Sequence, residues 1–432
     1  MKIAVAGLWH LGSVTAACLA RAGHEVIGWD PDQATVAGLA GGRAPIAEPG
    51  LDAVVSEGIA SGRLRTTSVL VDAVRDADVL WVTFDTPVDE EDNADVEGVL
   101  RHVRAALAHL KDDALVIVSS QMPVGSVARL EHDQAAPNSG RRARFACLPE
   151  NLRLGKAIQV FTQPDRVVAG VRTDRDRAQI AALLAPITDR IVWMSVESAE
   201  MTKHAINAFL ATSVAFINEI AVLGETAGAD AKEVERGLKS DQRIGQAAYL
   251  SPGAAFAGGT LGRDVALLEG LATAGGREAP LVSGVLQSNR RHARWSYLTL
   301  KDVLAPLSGR RFAVWGLTYK PGTDTLRRSP GVDLCRALAA DGARVAAFDP
   351  AVATIPDTLG AVLTLAPDAL SAASGADAVV VATEWPEFRT IAADALVSAV
   401  KAPLVLDPGR FLSKTMGADA RIRYLAVGVP RA

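Results

Sequence analysis

Lys2-Ile3-Ala4-Val5-Ala6-Gly7-Leu8-Trp9-His10-Leu11-Gly12, an apolar run to Ala20, and then Glu25-Val26-Ile27-Gly28-Trp29-Asp30 form the stretch that decides the fold of this 432-residue chain. It reads as a short buried strand, a glycine turn, a helix and a second strand. A lysine ahead of an apolar run also has the look of a secretory leader. Gly7 and Gly12 break that run, and a strand pattern follows at once, so the first strand is expected to open the folded protein directly. No window offers the roughly 18 uninterrupted apolar residues of a membrane span, so a soluble protein with no membrane contact is expected.

Outward from this stretch the same alternation continues. Val79–Phe84, Leu115–Ser119, Phe145–Leu148 and Val167–Val171 are short apolar runs, several of them separated by amphipathic helical segments. That is the pattern of a parallel, doubly wound sheet. A long helix without proline is expected from about Ser198 to Ala229, with helix-rich sequence to about Leu298. Strand-like runs then return at Phe312–Trp315, Val345–Phe348, Ala378–Val381 and Leu404–Leu406. The expected fold class is therefore α/β: two Rossmann-like doubly wound domains, residues 1–197 and 299–432, joined by a central helical domain, 198–298. The two α/β halves share a design, but no internal repeat is visible in the residues.

Composition narrows the function. At roughly 150 residues per domain the length allows three domains, each able to bury a core. Lys and Arg number 45 against 49 Asp and Glu, a net charge of −4, which offers no basic excess for nucleic acid or an anionic membrane. The ligand is expected to be small. Three scattered cysteines, Cys18, Cys147 and Cys335, fit neither a zinc cluster nor a disulfide framework and point to the reducing cytoplasm. The histidines show no ligand spacing, and no metal is expected.

Gly7-Leu8-Trp9-His10-Leu11-Gly12 sits where a dinucleotide fingerprint should sit, between strand and helix. Its second glycine, which would let backbone approach a pyrophosphate, is Trp9. Asp30 follows at the end of the second strand, where a carboxylate accepts ribose hydroxyls and repels a 2′-phosphate. Together they favour NAD over NADP, with a pyrophosphate site reshaped by Trp9.

Later motifs occur in a fixed order: Pro45-Ile46-Ala47-Glu48-Pro49-Gly50-Leu51, Pro149-Glu150, Pro164-Asp165-Arg166-Val167, Lys203 with Asn207-Ala208-Phe209, Asn218-Glu219, Arg243-Ile244-Gly245, Gly258-Gly259 before Asp264, and Lys320-Pro321 with Thr323-Asp324 and Arg327. In order and spacing the chain resembles the UDP-glucose/GDP-mannose dehydrogenase family over nearly its whole length. The resemblance implies an N-terminal NAD domain, a central dimerisation domain and a C-terminal domain for the nucleotide of a sugar nucleotide. It also implies oxidation of a primary alcohol by two hydride transfers to NAD, with a cysteine thiolate capturing the aldehyde. Lys203 and Asn207, four apart on one helix face, match the pair that holds the reacting oxygen, and Glu150 and Asp264 match the two acids that place water and manage protons. Thr86, Gln121 and Arg327 join the implied cofactor site. Leu152, Arg243, Tyr249, Leu250, Gly253, Gly259, Tyr319, Lys320 and Arg410 are the implied substrate contacts, Arg243 reaching across a homodimer interface.

The chain departs from the family at three points. Where the cysteine should follow Gly-Gly-Ser, it reads Gly258-Gly259-Thr260-Leu261-Gly262-Arg263-Asp264, so Thr260 or Leu261 takes the thiolate position, and neither is a competent nucleophile. Gln121 replaces the threonine before Pro123-Val124-Gly125, and Asn151 replaces the phenylalanine after Pro149-Glu150. Cys147 lies close by, but a buried residue ending a strand is its preferred reading. The leading expectation is an NAD-dependent nucleotide-sugar dehydrogenase, stopping at two electrons or using the aldehyde hydrate. A transiently oxidising epimerase and a silent sugar-nucleotide binder are the alternatives.

Overall fold

The computed structural model describes residues 1–86, 95–135, 142–257 and 260–430. Two compact units emerge, Met1–Ala205 and Ile206–Ala432.

The first unit is built on eight strands: β1 (Lys2–Ala6), β2 (Glu25–Trp29), β3 (Leu64–Thr67), β4 (Val79–Val82), β5 (Leu115–Val118), β6 (Arg144–Cys147), β7 (Val167–Gly170) and β8 (Ile191–Met194). Their order in the sheet is β3-β2-β1-β4-β5-β6-β7-β8. Every neighbouring pair is parallel except β6 with β7. Strands β4 and β5, Val-Leu-Trp-Val and Leu-Val-Ile-Val, are buried along their whole length because helices cover both faces of the sheet. One core packs Leu8, Val14, Leu19, Val54, Trp81 and Ile117 on one face, and a second packs Leu80, Val82, Leu100, Val116 and Phe145 on the other.

The second unit carries six parallel strands: β9 (Arg311–Trp315), β10 (Arg344–Phe348), β11 (Thr364–Leu365), β12 (Ala378–Val381), β13 (Leu404–Leu406) and β14 (Arg423–Leu425). Their order, β11-β10-β9-β12-β13-β14, repeats that of the first six strands of the first sheet. Helices Ala231–Ser240, Thr260–Ala274, Pro280–Ala293 and Trp295–Leu304 precede it. The fold class expected from the sequence, two Rossmann-like sheets with helical sequence between them, is what the chain adopts.

The long helix runs from Val196 to Ala227. It is long and apolar enough to cross a bilayer by length and composition, with a mean hydropathy of 1.7 over its best window, 44% of which is buried. The sequence expectation of no membrane-length window therefore holds only for an uninterrupted apolar run. The polar residues of this helix are tied into protein: Glu200 accepts from backbone, His204 pairs with the Met122 carbonyl, and Asn218 bonds Gly253 and Ala254.

Candidate active site

In the first sheet the order reverses between β1 and β4, and ligands of such sheets bind at the carboxyl ends beside that reversal. Of the residues singled out in the sequence, Gly7, Asp30, Thr86, Gln121 and Glu150 follow strands of this sheet at those ends. Gly7 follows β1 with a φ of +93°, and a Cβ at that position would lie 2.7 Å from the Phe84 backbone. A Cβ on Gly12 would lie 1.7 Å from the Gly7 carbonyl oxygen. Only hydrogen fits at either position. Trp9 needs no glycine, since its φ is −70°, and it stands 46% exposed at the N-terminus of the helix His10–Arg21. Leu11 is half-buried on that helix.

Asp30 closes the turn from the second strand. Its Oδ2 accepts from the Leu8 N–H at 2.7 Å and its Oδ1 from the Asp32 N–H at 2.9 Å. Thr83, not singled out in the sequence, donates to the carbonyls of Ala6 and Gly7 at 3.0 and 2.7 Å. Thr86 donates to the Gln121 carbonyl at 2.6 Å, fixing the segment after β5.

That segment and the one after β6 form a pocket with Lys203. Lys203 Nζ lies 3.5 Å from Glu150 Oε2, and both side chains are mostly buried. Ser120, Gln121 and Cys147 line the same pocket, whose interior, about 20 Å³, has room for one water molecule. The Ser120 hydroxyl is buried there with no hydrogen-bond partner among the described residues. Glu200, one turn before Lys203, accepts from the N–H groups of Gly125 and Val127 at 2.7 and 3.0 Å. Burial pushes its carboxyl above the usual range against those two bonds. Neither Glu200 nor His204 was read as functional. The signal was present for Glu200, a carboxylate at helical spacing from Lys203, but its partners are distant in sequence.

Asn207 stands one turn beyond Lys203 and donates from Nδ2 to Asp264 Oδ2. Asp264 is fully buried on the helix Thr260–Ala274. The four expected catalytic residues thus form two pairs, Lys203 with Glu150 and Asn207 with Asp264.

Three segments match the UDP-glucose/GDP-mannose dehydrogenase family: its NAD-binding domain over residues 1–188, its central domain over 197–291 and its UDP-binding domain over 313–414. A UDP-glucose 6-dehydrogenase of Rhizobium meliloti is 35% identical, with all of both chains covered. Another from Pseudomonas aeruginosa is 34% identical, covering 100% of this chain and 98% of the relative. The chain belongs to this family. Among solved structures, a UDP-glucose dehydrogenase from Pyrobaculum islandicum matches with a TM-score of 0.85 and 31% identity over 100% of this chain and 98% of its own. The cofactor of this family member is NAD.

The second unit of this dehydrogenase holds the expected substrate residues. Gly253 donates to Asn218 Oδ1 at 3.0 Å and accepts from His292 Nε2 at 2.7 Å. Asn289 bonds both the N–H and the carbonyl of Phe256. Asn218, part of the Asn218-Glu219 motif, and two side chains missed in the sequence, Asn289 and His292, therefore shape the glycine-rich run. Gly259, and Gly258 before it, lie outside the described residues. Tyr249 is 58% exposed and Leu250 buried. Tyr319 and Lys320 are half-buried after β9, the ammonium 5.4 Å above the Tyr319 ring. Arg327 is exposed on the same stretch. Arg243 is exposed and pairs with its neighbour Asp241. Leu152, in the first unit, packs against the core there.

Arg410 stands apart. Its guanidinium reaches both oxygens of Asp230, at 2.9 and 3.2 Å, and bonds the carbonyls of Val427 and Gly428. It is also one of the expected substrate contacts. All three cysteines are buried and unpaired with one another. Burial pushes the thiols of Cys18 and Cys335 up to about 12, and the Cys147 thiol up as well, with Glu200 and Glu197 adding to it.

Proposed function

We propose that this dehydrogenase oxidises the primary alcohol of a UDP-sugar, UDP-glucose or a near relative, and that the reaction ends after two electrons at the aldehyde. The observation that carries the reading is the Lys203–Glu150 pair in a pocket at the carboxyl ends of β5 and β6. NAD, when bound, accepts the hydride from the alcohol carbon. Lys203 stabilises the alkoxide that forms as the proton leaves, Asn207 holds the same oxygen by its amide, and Glu150 takes up the proton. Gly7, Trp9, His10, Leu11, Gly12, Asp30, Thr86, Gln121 and Arg327 are the cofactor contacts that the resemblance implies. Leu152, Arg243, Tyr249, Leu250, Gly253, Gly259, Tyr319, Lys320 and Arg410 are the substrate contacts that the resemblance implies.

The two-electron limit rests on the cysteine count. Thiolate capture of the aldehyde needs an ionisable thiol, and burial holds all three thiols protonated. A second reading is favoured by the water-sized pocket beside Glu150 and the unpartnered Ser120 hydroxyl. There water adds to the aldehyde, and the resulting diol would give up a hydride to a second NAD and a proton to solvent by way of Glu150, becoming the carboxylic acid.

Our reading also divides the chain functionally at residues 1–197, 198–298 and 299–432, and places it in the reducing cytoplasm as a homodimer. Phe209, Phe216 and Leu223, seven apart along the long helix, are 71%, 47% and 66% exposed and give an apolar stripe suited to self-association.

The test is stoichiometry. Purified protein with NAD and UDP-glucose is expected to form one NADH per sugar, with an aldehyde captured by hydroxylamine. Two NADH per sugar would establish the hydrate route instead, and sugar interconversion without net NADH would establish an epimerase. Binding without turnover would leave a silent binder. Lys203→Ala is expected to lower kcat by about 100-fold or more; full activity in that variant removes the site assignment.

A further inference from the structure

Glu48 lies in the Pro45–Leu51 motif, and its side chain is 1% exposed. A carboxylate so buried is costly unless every oxygen is engaged. Here Oε2 accepts from the Gly155 N–H at 2.8 Å and pairs with His10 Nε2 at 3.0 Å, while Oε1 accepts from the Ala157 N–H at 2.9 Å. Burial alone would raise this carboxyl, and the bonds from Gly155, Ala157 and His10 hold it below its ordinary value instead.

These partners belong to different functional segments. His10 is the first residue of the helix His10–Arg21, whose N-terminus is where a sheet of this kind places a dinucleotide diphosphate. Gly155 and Ala157 end the stretch that leaves β6 and carries Glu150 and Leu152, which has no helix or strand before Ala157. Glu48 thus holds both.

We propose that the His10–Glu48 pair is a latch between the cofactor turn and the substrate segment, so that dinucleotide and sugar nucleotide each tighten the binding of the other. This rests on the UDP-sugar reading above. Docking of the diphosphate fixes the turn and His10, and docking of the sugar nucleotide fixes residues 149–157. Glu48 is common to both, so the ordering cost met by the first ligand is not met again by the second. By linkage the effect is reciprocal. Glu48 is a positioning residue, acting on Glu150 through the segment that bears it.

The test measures UDP-glucose dissociation constants with and without NADH, a pair that cannot turn over. The ratio of the two constants is taken within each variant, so a uniform loss of affinity cancels. NADH is expected to tighten UDP-glucose by about five-fold or more in the native protein. His10→Phe should bring that ratio close to one, and His10→Gln, whose amide still donates to Glu48, should restore most of it. A native ratio of one, or an unchanged ratio in His10→Phe, overturns the latch. Failure of UDP-glucose to bind the native protein in either state overturns the substrate reading, and the latch with it.

Discussion

The two sheets of this protein solve one local problem twice and put the solution to different uses. β1 and β9 each end in a glycine of positive φ, Gly7 at +93° and Gly316 at +98°. Each is met by a second glycine in the following helix, Gly12 and Gly331, whose absent Cβ leaves room for the first glycine's carbonyl. Each neighbouring strand, β2 and β10, is followed by an aspartate that accepts from the turn, Asp30 from Leu8 and Asp349 from Leu317, both at 2.7 Å. A threonine just beyond β4 or β12, Thr83 or Thr383, closes the turn from the other side. The differences lie in what surrounds this frame. In the first unit the turn is residues 7–9 and Asp30 is half-buried. In the second the chain runs from 316 to 329 before its helix, carrying Tyr319, Lys320 and Arg327. Asp349 there is 2% exposed, with further donors in the Thr318 N–H and hydroxyl and the Trp385 indole at 3.0 Å. A carboxylate left at the surface can read a ribose. The same carboxylate sealed under an indole is a structural anchor, and ligand contact passes to the longer turn.

The shared frame is tested most severely at its glycines. Gly12→Ala would set a Cβ 1.7 Å from the Gly7 oxygen, and Gly331→Ala one 2.4 Å from the Gly316 oxygen. Each is expected to cost about 3 kcal/mol or more, the first more than the second, and Gly12→Ala alone to abolish NAD binding. Unchanged thermal unfolding in both would break the parallel. The two aspartates should then separate structure from function. Asp349→Ala is expected to cost about 2–3 kcal/mol, because several buried donors lose their acceptor, with NAD affinity unchanged. Asp30→Ala is expected to raise the KM for NAD by about ten-fold with a smaller loss of stability. The opposite pattern would reverse the roles assigned here. Trp385→Phe removes one donor from Asp349 and should cost about 1–2 kcal/mol, read as a lower melting temperature of the second unit.

The smallest effect concerns acid, and it belongs to the first unit. Glu48 has its folded value held below the ordinary 4.5. Its contribution is therefore complete above the unfolded value and is lost as pH falls through the lower folded one. The stability difference between native protein and Glu48→Gln should shrink as pH falls below about 4.5. A difference independent of pH would show that the Glu48 carboxylate is not held in its ionised form.

Much of this was legible in the residues. The apolar runs at Ile3–Ala6, Val26–Trp29, Phe312–Trp315 and Ala378–Val381 all became strands, since burial on both faces of a parallel sheet leaves an unbroken hydrophobic signature. Strands β3, Leu-Arg-Thr-Thr, and β14, Arg-Tyr-Leu, carry no such signature, because they are edge strands and half-exposed. Lys203 and Asn207 could be placed on one helix face from spacing alone. Their partners could not, since Glu150 and Asp264 reach them through folding rather than through neighbouring sequence.

The sequence by itself determined the two α/β halves, the dinucleotide turn, the family and the lack of a cysteine after Gly258-Gly259, all properties of local pattern and residue identity. Only the tertiary structure decided which charged groups remain for ligands. Arg410 pairs with Asp230, and Asp349 is sealed by Trp385. In sequence these residues look as available as Lys203 or Asp30. The cost of burying a charge is met by donors and acceptors brought from distant segments, so what each side chain is left to do is settled only when the chain has folded.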